Sequence, residues 1–600
     1  MKKYIIYGAG DYGKRIIEYV GKDSIAFYID ESEEKQKSGY LGFKVYSLAE
    51  AIHLIKNMPV IIALSEEKIR QAKSSIEEYE IYNVYTFREI QVQKTREKIE
   101  SRTNYIDIYN KSIKWIIDNS VLDEGIINNT SLKKSYPEVT GYYIPSLLRW
   151  GYKDLAINYA KWLCSIQHND GAWYDTDDVN PYIFDSAQIL KGLIAIRGIL
   201  PEVDNHIIKG CDWILSNMNS EGRLVSPLKD AWGDGKTYSE LIHTYCISPI
   251  KDAGRLLDRD DYIAKAKMIE DYYTTNCLEQ ILNFDLLSHF YAYVMEAMLD
   301  IGRNDIAREA MKKVALLQKE SGAVPAYNNV DWVCSTGLFQ LAIVWFRLGE
   351  IEKGEKAFLY ACKLQNESGG WYGSYLSETN SNETNTYFPN SEISWAVKYF
   401  LDALYYKNLA QFEVQAPTFG DKIDKHDGRY LCIADVVGNL KSNALKILDI
   451  GCGKGRYLKN LIKEFPDNNY YAVDLSPAVM GFIDNSCIVQ QQGTLTNIPY
   501  DDDYFDVVYS CEALEHAVDI KMAIKELCRV TKPNGIVIIV DKNKAMLGYF
   551  PIEEWEQWFD EKELMGELMN YCSDVDVIKE IAFDDTSANG LFYSWVGKVK

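Results

Sequence analysis

The chain has 600 residues, enough for three or more domains at roughly 100–200 residues each. A composition 47% hydrophobic and 25% charged excludes wholesale disorder, and a net charge of −22 argues against a nucleic-acid scaffold, because an acidic surface repels phosphate backbones. The twelve cysteines are scattered without a C-x-x-C pair, which argues against a structural zinc site and a disulfide framework. No apolar stretch approaches the roughly 18 residues of a membrane span. The opening MKKYIIYGAGDYG reads as a strand entering a turn, not a signal peptide. A reduced, cytoplasmic protein without a metal is the expectation.

Residues 1–90 alternate β-rich runs with helical patterns. KYIIYGAG, SIAFYID and MPVIIALS read as strands, and EEKIRQAKSSIEEYE as an amphipathic helix. That alternation predicts a parallel sheet. The charged run at 93–102 reads as a linker or the start of a helix. Gly8, Gly10 and Gly13 form a G-x-G-x-x-G turn after the first strand, and Asp30 ends the second. The pattern suits a nucleotide at a helix N-terminus. The stretch YGAGDYG, FYID, GYLGFKVYSLAE and VIIALS resembles the nucleotide-binding domain of bacterial polysaccharide-biosynthesis proteins, among them nucleotide-sugar dehydratases and sugar acetyltransferases. The resemblance implies a nucleotide or NAD(P) held by Gly8, Gly10, Gly13 and Asp30. The competing reading is a Rossmann-like docking module that binds nothing.

Residues 100–410 carry long helical patterns and an internal repeat. WLCSIQHNDGAW (162–173) is echoed by LYACKLQNESGGW (359–371), and more weakly at 213–224 and 315–327. The marker glycines Gly171, Gly222, Gly322 and Gly369 are separated by 51, 100 and 47 residues, so a degenerate copy is expected near 272. A period of about 50 residues fits a helical hairpin, with room for about six. Closed into a ring, six hairpins give an all-α (α/α)6 toroid over 96–415; an open solenoid is the competing arrangement. The Q-x-x-x-G-x-W element (Gln167, Gly171 and Trp173; Gln365, Gly369 and Trp371) resembles the repeat of terpenoid cyclases and related α/α toroids.

Asp175, Asp177 and Asp178 form a D-x-D-D run, the shape of the proton-donating motif of class II terpene cyclases. Polar residues before a proline are also ordinary turn chemistry. Asp185, His289, Asp331 and Glu392 sit at loop-to-helix starts. They are candidates for lumen ligands, with acid–base work on a sugar as the chemical option and helix capping as the bland one. Asp331 and Cys334 depart from the zinc spacing of protein prenyltransferases, so no metal is expected.

Residues 416–600 return to α/β alternation after a Pro- and Gly-containing stretch that reads as a separator. ALKILDIG, NNYYAVDLS, SCIVQQQG, YFDVVYS and GIVIIVD read as strands, and the tail as a terminal β-pair. Gly451, Gly453 and Gly455 occupy the turn after the first strand, and Asp474 ends the next, where a carboxylate can accept ribose hydroxyls. DIGCGKG, VDLS, NIPYDDDYFDVVYS, EALEH and RVTKPNG, in this order, resemble the class I S-adenosylmethionine (SAM)-dependent methyltransferases. The resemblance implies SAM as cofactor. It places Asp449, Gly451, Gly453 and Gly455 on the methionine side, Asp474 and Leu475 at the ribose, and Thr494 and Leu495 at the adenine. Thr494 stands where the family often has an acidic residue. His516 and Glu515 are the candidates for proton transfer beside the methyl, and Tyr430 for closing over the cofactor.

These readings together predict a multidomain methyltransferase: a Rossmann-like domain (1–95), the toroid (96–415) and the methyltransferase domain (416–600). The acceptor is expected to be a small molecule or carbohydrate-like, in surface-polysaccharide or related biosynthesis. Alternatives are a terpenoid-modifying cyclase–methyltransferase and a scaffold whose toroid only presents the acceptor. The separator also predicts a cofactor site that the C-terminal domain builds alone.

Overall fold

A computed structural model describes the chain except residues 1–2, 56, 228–238, 377–383, 441–443, 551, 554–555 and 585. In the N-terminal unit, β1 (Tyr4–Tyr7), β2 (Ile25–Ile29), β3 (Val45–Tyr46), β4 (Val60–Ile62) and β5 (Val84–Thr86) form a parallel sheet in the order β3-β2-β1-β4-β5. The central strands are apolar on both faces, as a sheet covered on both sides requires. The two-residue β3 and the half-buried β5 lack such runs, and the sequence reading passed over them. The charged run at 93–102 lies in a helix, Phe87–Ser101, opened by a Thr86/Glu89 capping box. The expected boundary near 95 therefore falls inside a helix. That helix docks on the C-terminal unit: Gln91 Nε2 donates to Tyr549 O (3.4 Å), Arg102 Nη1 to Glu553 O (3.2 Å), and Lys98 to Ile552 O.

Among the described residues, twelve helices of ten residues or more follow between Tyr105 and Gln415. They are α1 (Tyr105–Asp118), α2 (Pro137–Arg149), α3 (Lys153–Ile166), α4 (Ile183–Ile196), α5 (Asp204–Ser216), α6 (Ile247–Leu256), α7 (Asp260–Asn276), α8 (Ser288–Asp300), α9 (Asn304–Leu317), α10 (Ser335–Arg347), α11 (Ile351–Cys362) and α12 (Ser394–Gln415). A two-stranded ribbon pairs β6 (Val333–Cys334) with β7 (Ser374–Tyr375). The even-numbered helices α2, α4, α8, α10 and α12 are buried on nearly all faces, and each even-numbered helix contacts the next, with α12 also touching α2.

The repeat residues explain the spacing. Trp173 and Trp371 are fully buried, and each donates its indole N–H to the end of the preceding helix, Leu163 O (2.7 Å) and Ala361 O (2.9 Å). Gly171, Gly222, Gly322 and Gly369 all have φ between +94° and +99°. A Cβ at each would lie 2.0–2.3 Å from a backbone oxygen of a neighbouring odd-numbered helix: Lys209, Met268, Lys356 and Lys111 respectively. Glycine is thus required by both conformation and contact. The copy expected near 272 is absent there, because residue 272 lies within α7. The corresponding α7–α8 connection carries a short helical turn, Leu278–Ile281, in place of the glycine.

The C-terminal unit has β8 (Lys446–Ile450), β9 (Asn469–Asp474), β10 (Ile488–Gln492), β11 (Phe505–Cys511), β12 (Thr531–Lys542), β13 (Cys572–Ile578) and β14 (Phe592–Val599). Its order is β10-β9-β8-β11-β12-β14-β13, with β14 antiparallel to both neighbours and the other pairings parallel. The strand order reverses beside β8, which opens a crevice beyond the carboxyl ends of β8 and β9.

Candidate active site

The turn after β8 is shaped by three glycines with positive φ: Gly451 (+75°), Gly453 (+52°) and Gly455 (+68°). A Cβ on Gly451 would sit 2.3 Å from Ala513 Cβ, whereas one on Gly453 meets nothing within 4 Å. The first glycine lets two loops approach; the second leaves the backbone open to a ligand. Gly453 N donates to Asp474 Oδ2 and Ser476 N to Asp474 Oδ1, both at 2.9 Å, so the carboxylate ties the turn to the end of β9. Each carboxylate oxygen can still accept further hydrogen bonds.

These residues line a cleft of about 330 Å³. Gly451, Gly453, Asp474, Leu475, Thr494, Leu495, Glu515 and His516 all reach it. Three other expected residues do not. Asp449 lies buried beneath the turn, its Oδ2 without a hydrogen-bond partner; burial, opposed by the neighbouring Tyr509 hydroxyl, pushes its carboxyl up to about 8. Gly455 caps the helix Arg456–Glu464 against Ile483. Tyr430 is buried and donates its hydroxyl to Glu464 (2.5 Å), away from the cleft lining.

His516 stands on the short turn Leu514–His516, edge-on to Phe412 at 5.4 Å. Burial pulls its imidazole down to about 4, so the ring is neutral at pH 7 and a weaker base than free imidazole. Glu515 is buried and takes two hydrogen bonds from Lys542 (2.6 and 2.8 Å), which also holds Glu556. Burial raises the Glu515 carboxyl, whereas Lys542 outweighs burial at Glu556 and holds it near 2. Glu515 therefore positions Lys542 and is unsuited to acting as a free base.

The sequence reading missed Glu512, at the end of β11. It has φ +54°, and one oxygen accepts from Arg456 (2.5 Å), Arg429 (3.0 Å) and the Tyr457 hydroxyl (3.1 Å). Burial alone would raise this carboxyl, but Arg456 and Arg429 hold it below the ordinary range. Only a charged residue one position past an apolar strand hinted at it.

A second group missed by sequence comes from the helical region. Arg149 and Trp150, at the end of α2, and Tyr405, Asn408 and Phe412, on the 22-residue α12, also line the cleft. Thr494 and Thr496 donate their hydroxyls to Arg149 O (3.3 and 2.8 Å). The Tyr109 and Tyr152 hydroxyls both donate to Asp519 Oδ2 (3.4 Å). The cleft is therefore not lined by the C-terminal domain alone: α2 and α12 reach back over it past the separator at 413–428, and Thr494 turns its hydroxyl to that contact.

Elsewhere the candidates separate. Asp30 Oδ2 accepts from Ala9 N (2.9 Å) and Oδ1 from Ser32 N (3.0 Å), and the Tyr40 hydroxyl donates to Gly10 O (2.9 Å). Gly8 (φ +118°) and Gly13 are needed for packing, since a Cβ would lie 2.4 Å from Ala63 O and 2.0 Å from Gly8 O. Asp175 accepts from Val179 N (2.9 Å) and Asn180 Nδ2 (3.0 Å) inside its own turn, Asp177 pairs with Lys134 (2.8 Å), and Asp178 with His168 (2.7 Å). Asp175 and Asp177 also line an open cleft of about 480 Å³ with Tyr136 and Tyr182. Asp185 is buried under Tyr136, whose hydroxyl donates to Oδ2 (3.3 Å), and burial pushes it up to about 7. His289 is buried on Gln340 (2.5 Å) and pulled down to about 3 by burial. Asp331 pairs with Lys319 (2.8 Å). Glu392 accepts from Trp115 Nε1 (2.7 Å), Asn366 Nδ2 (2.8 Å) and Ser368, joining the start of the helical region to its end. Among the described residues no cluster of ligating side chains could hold a metal, and no helix is long and apolar enough to cross a membrane.

Residues 448–539, which carry β8 through most of β12, match the family described as "Methyltransferase domain". The C-terminal domain has the class I SAM-dependent methyltransferase fold. Residues 3–75 match the family described as "PglD N-terminal domain". Similar curated proteins include malonyl-[acyl-carrier protein] O-methyltransferase of Dechloromonas aromatica, 31% identical over 134 residues, 22% of this chain and 50% of that one. Another is 2-methyl-6-phytyl-1,4-hydroquinone methyltransferase of Synechocystis, 31% identical over 137 residues, 21% of this chain and 40% of that one. The match thus spans half or less of these relatives. A solved structure of the YcgJ protein of Bacillus subtilis is similar at 20% identity and a TM-score of 0.23, over 25% of this chain and 70% of that one.

Proposed function

We propose that this chain is a SAM-dependent methyltransferase acting on a small, carbohydrate-like acceptor in surface-polysaccharide or related biosynthesis. The observation that carries the reading is the cleft in which Gly451, Gly453, Asp474, Leu475, Thr494 and Leu495 converge beyond β8 and β9. The donor set fits the cofactor: an open glycine backbone, a carboxylate at the end of β9, and apolar walls from Leu475, Leu495 and Val518. In this reading Asp474 accepts the ribose hydroxyls, Leu495 packs on the adenine, and the backbone at Gly451 and Gly453 faces the methionine portion. When bound, the cofactor supplies an electrophilic methyl on a sulfonium. The chain's residues align the acceptor, exclude water and, through the neutral His516, offer it a hydrogen-bonding ring nitrogen.

The helical region, in this reading, is a closed (α/α)6 toroid. Support comes from the α12–α2 contact, from Gln365 Nε2 donating to Ile108 O (3.0 Å), and from the Trp115–Glu392 bond, each linking the last hairpin to the first. The proposed units meet near residues 102 and 415. The toroid and the N-terminal module hold or present the acceptor; the carbohydrate assignment leans on the resemblance of residues 3–75 and on analogy. A nucleotide at Gly8, Gly10, Gly13 and Asp30 is not part of the proposal.

The test is turnover. The full chain is incubated with methyl-labelled SAM and the small-molecule fraction of a cell that makes the protein. Label transferred to an acceptor, and lost in Asp474→Ala, supports the reading. No label in any acceptor while SAM binds would point to the scaffold alternative.

A further inference from the structure

The cofactor cleft does not end at His516. Phe412, Phe419, Glu512 and His516 also line a second cleft of about 600 Å³, which runs on toward Lys542 and the strand β14. It lies where an acceptor would meet the transferred methyl, beyond the ends of β11 and β12.

The wall of this cleft is aromatic and acidic. Phe412, Phe419, Phe550, Phe583 and Phe592 supply five rings, and Glu512, Glu553, Glu556 and Asp584 supply four carboxylates against two cations, Arg429 and Lys542. Neither cation is free. Arg429 is engaged by Asp427 (2.9 Å), Glu512 (3.0 Å) and Asp584 (2.7 Å), and stands 5.1 Å from the Phe592 ring centre. Lys542 is engaged by Glu515 (2.6 Å) and Glu556. The same cations and Arg456 engage Glu512, Glu556 and Asp584 in return, so among the described lining residues an anionic acceptor would find net negative charge and no uncommitted cation. A cationic group would find the exposed Glu553 carboxylate and aromatic faces, both of which attract it.

We propose that the acceptor presents an amine to this second cleft, so that the methylated atom is nitrogen. The inference rests on the methyltransferase reading above. Methylation of an amine forms one N–C bond as one sulfonium S–C bond breaks, leaves a neutral thioether, and ends with release of a proton from nitrogen. Positive charge moves onto the nitrogen as the bond forms, and the carboxylate-rich wall stabilises it there. His516, at the junction of the two clefts, is placed to hydrogen-bond the amine, and the proton leaves to solvent.

The experiment uses isosteric probes on the full chain. Binding of choline, of its uncharged isostere 3,3-dimethylbutan-1-ol, and of inorganic phosphate is measured by ligand-observed NMR, with and without S-adenosylhomocysteine. The expected result is choline binding at least tenfold tighter than the alcohol, phosphate weakest, and the choline advantage reduced at least threefold in Glu553→Gln. Glu553 is exposed, so that variant leaves the fold intact. Equal binding of choline and the alcohol, tighter binding of phosphate, or an unchanged advantage in Glu553→Gln would each overturn the proposal. Binding of S-adenosylhomocysteine is read on the same samples. Its failure contradicts the methyltransferase reading, whereas failure of the choline comparison alone contradicts only the amine.

Discussion

Thr496 donates its hydroxyl to the carbonyl of Arg149 over 2.8 Å, across 347 residues of sequence. That bond joins the loop after β10 to the end of α2, and makes the helical region one wall of the cofactor cleft. Arg149 is in turn fixed from behind. Its guanidinium pairs with Asp402 (3.1 Å) and lies 4.9 Å from the Tyr405 ring centre, while Asp402 also takes Lys398 (2.9 Å) from the buried centre of the helices. Burial alone would raise Asp402, but Lys398 and Arg149 hold it below the usual carboxylate range.

Gly151 stands where the two units approach closely beside this bond. Its φ is +84°, and a Cβ would lie 2.4 Å from Met522 and 2.6 Å from Thr496 O. Gly151→Val should push the two units apart. The expected outcome is affinity for S-adenosylhomocysteine weakened about tenfold, roughly 1.4 kcal/mol, with the helical content unchanged. Calorimetry and circular dichroism check it. Unaltered affinity would mean that α2 and α12 cover the cleft without helping to build the cofactor site.

Asp449 gives a pH test. Its folded-state pKa, about 8, lies above the model-peptide value of 3.8. The folded state therefore binds the proton more tightly, and the stabilisation this gives is complete below about pH 4 and lost as pH rises toward 8. Asp449→Asn keeps the shape and removes the titration. The melting temperature of the variant should gain on that of the parent between pH 5 and 8, since each unit of the shift corresponds to about 1.4 kcal/mol. Melting curves at pH 5, 6.5 and 8 check this; a difference that stays constant over that range would contradict a carboxyl held protonated by burial.

Glu392 tests the join between the two ends of the helical region. Its carboxylate is buried and accepts from Trp115, Asn366 and Ser368. Glu392→Ala leaves those donors unpaired and should cost about 3 kcal/mol, with Glu392→Gln costing about half as much. Urea unfolding followed by tryptophan fluorescence measures both. Equal, small losses in the two variants would mean that the bond contributes little to closure.

What the sequence made legible was local. The apolar runs of β8, β9, β11 and β12 and the glycines after β8 announce themselves within a few residues, because strand burial and positive φ are short-range demands. The repeat was legible for the same reason: each Gly and Trp closes its own hairpin. What could not be read was contact between distant segments. Nothing around Arg149 or Tyr405 in the sequence marks them as walls of a cleft built on Gly451 and Asp474. The D-x-D-D run could be read two ways in the sequence, and its carboxylates do bond within their own turn and to surface neighbours. Asp449 looked like a ligand-binding residue by position, yet the strand pairing buries it one layer below the cleft.

The central claim is that the crevice beyond β8 and β9 binds SAM through Asp474. Calorimetric titration of the full chain with S-adenosylhomocysteine, compared with Asp474→Ala, tests it most directly. The account predicts one site per chain in the parent, and affinity at least tenfold weaker in the variant with its melting temperature within a few degrees. No binding by the parent, or equal binding by Asp474→Ala, would contradict it.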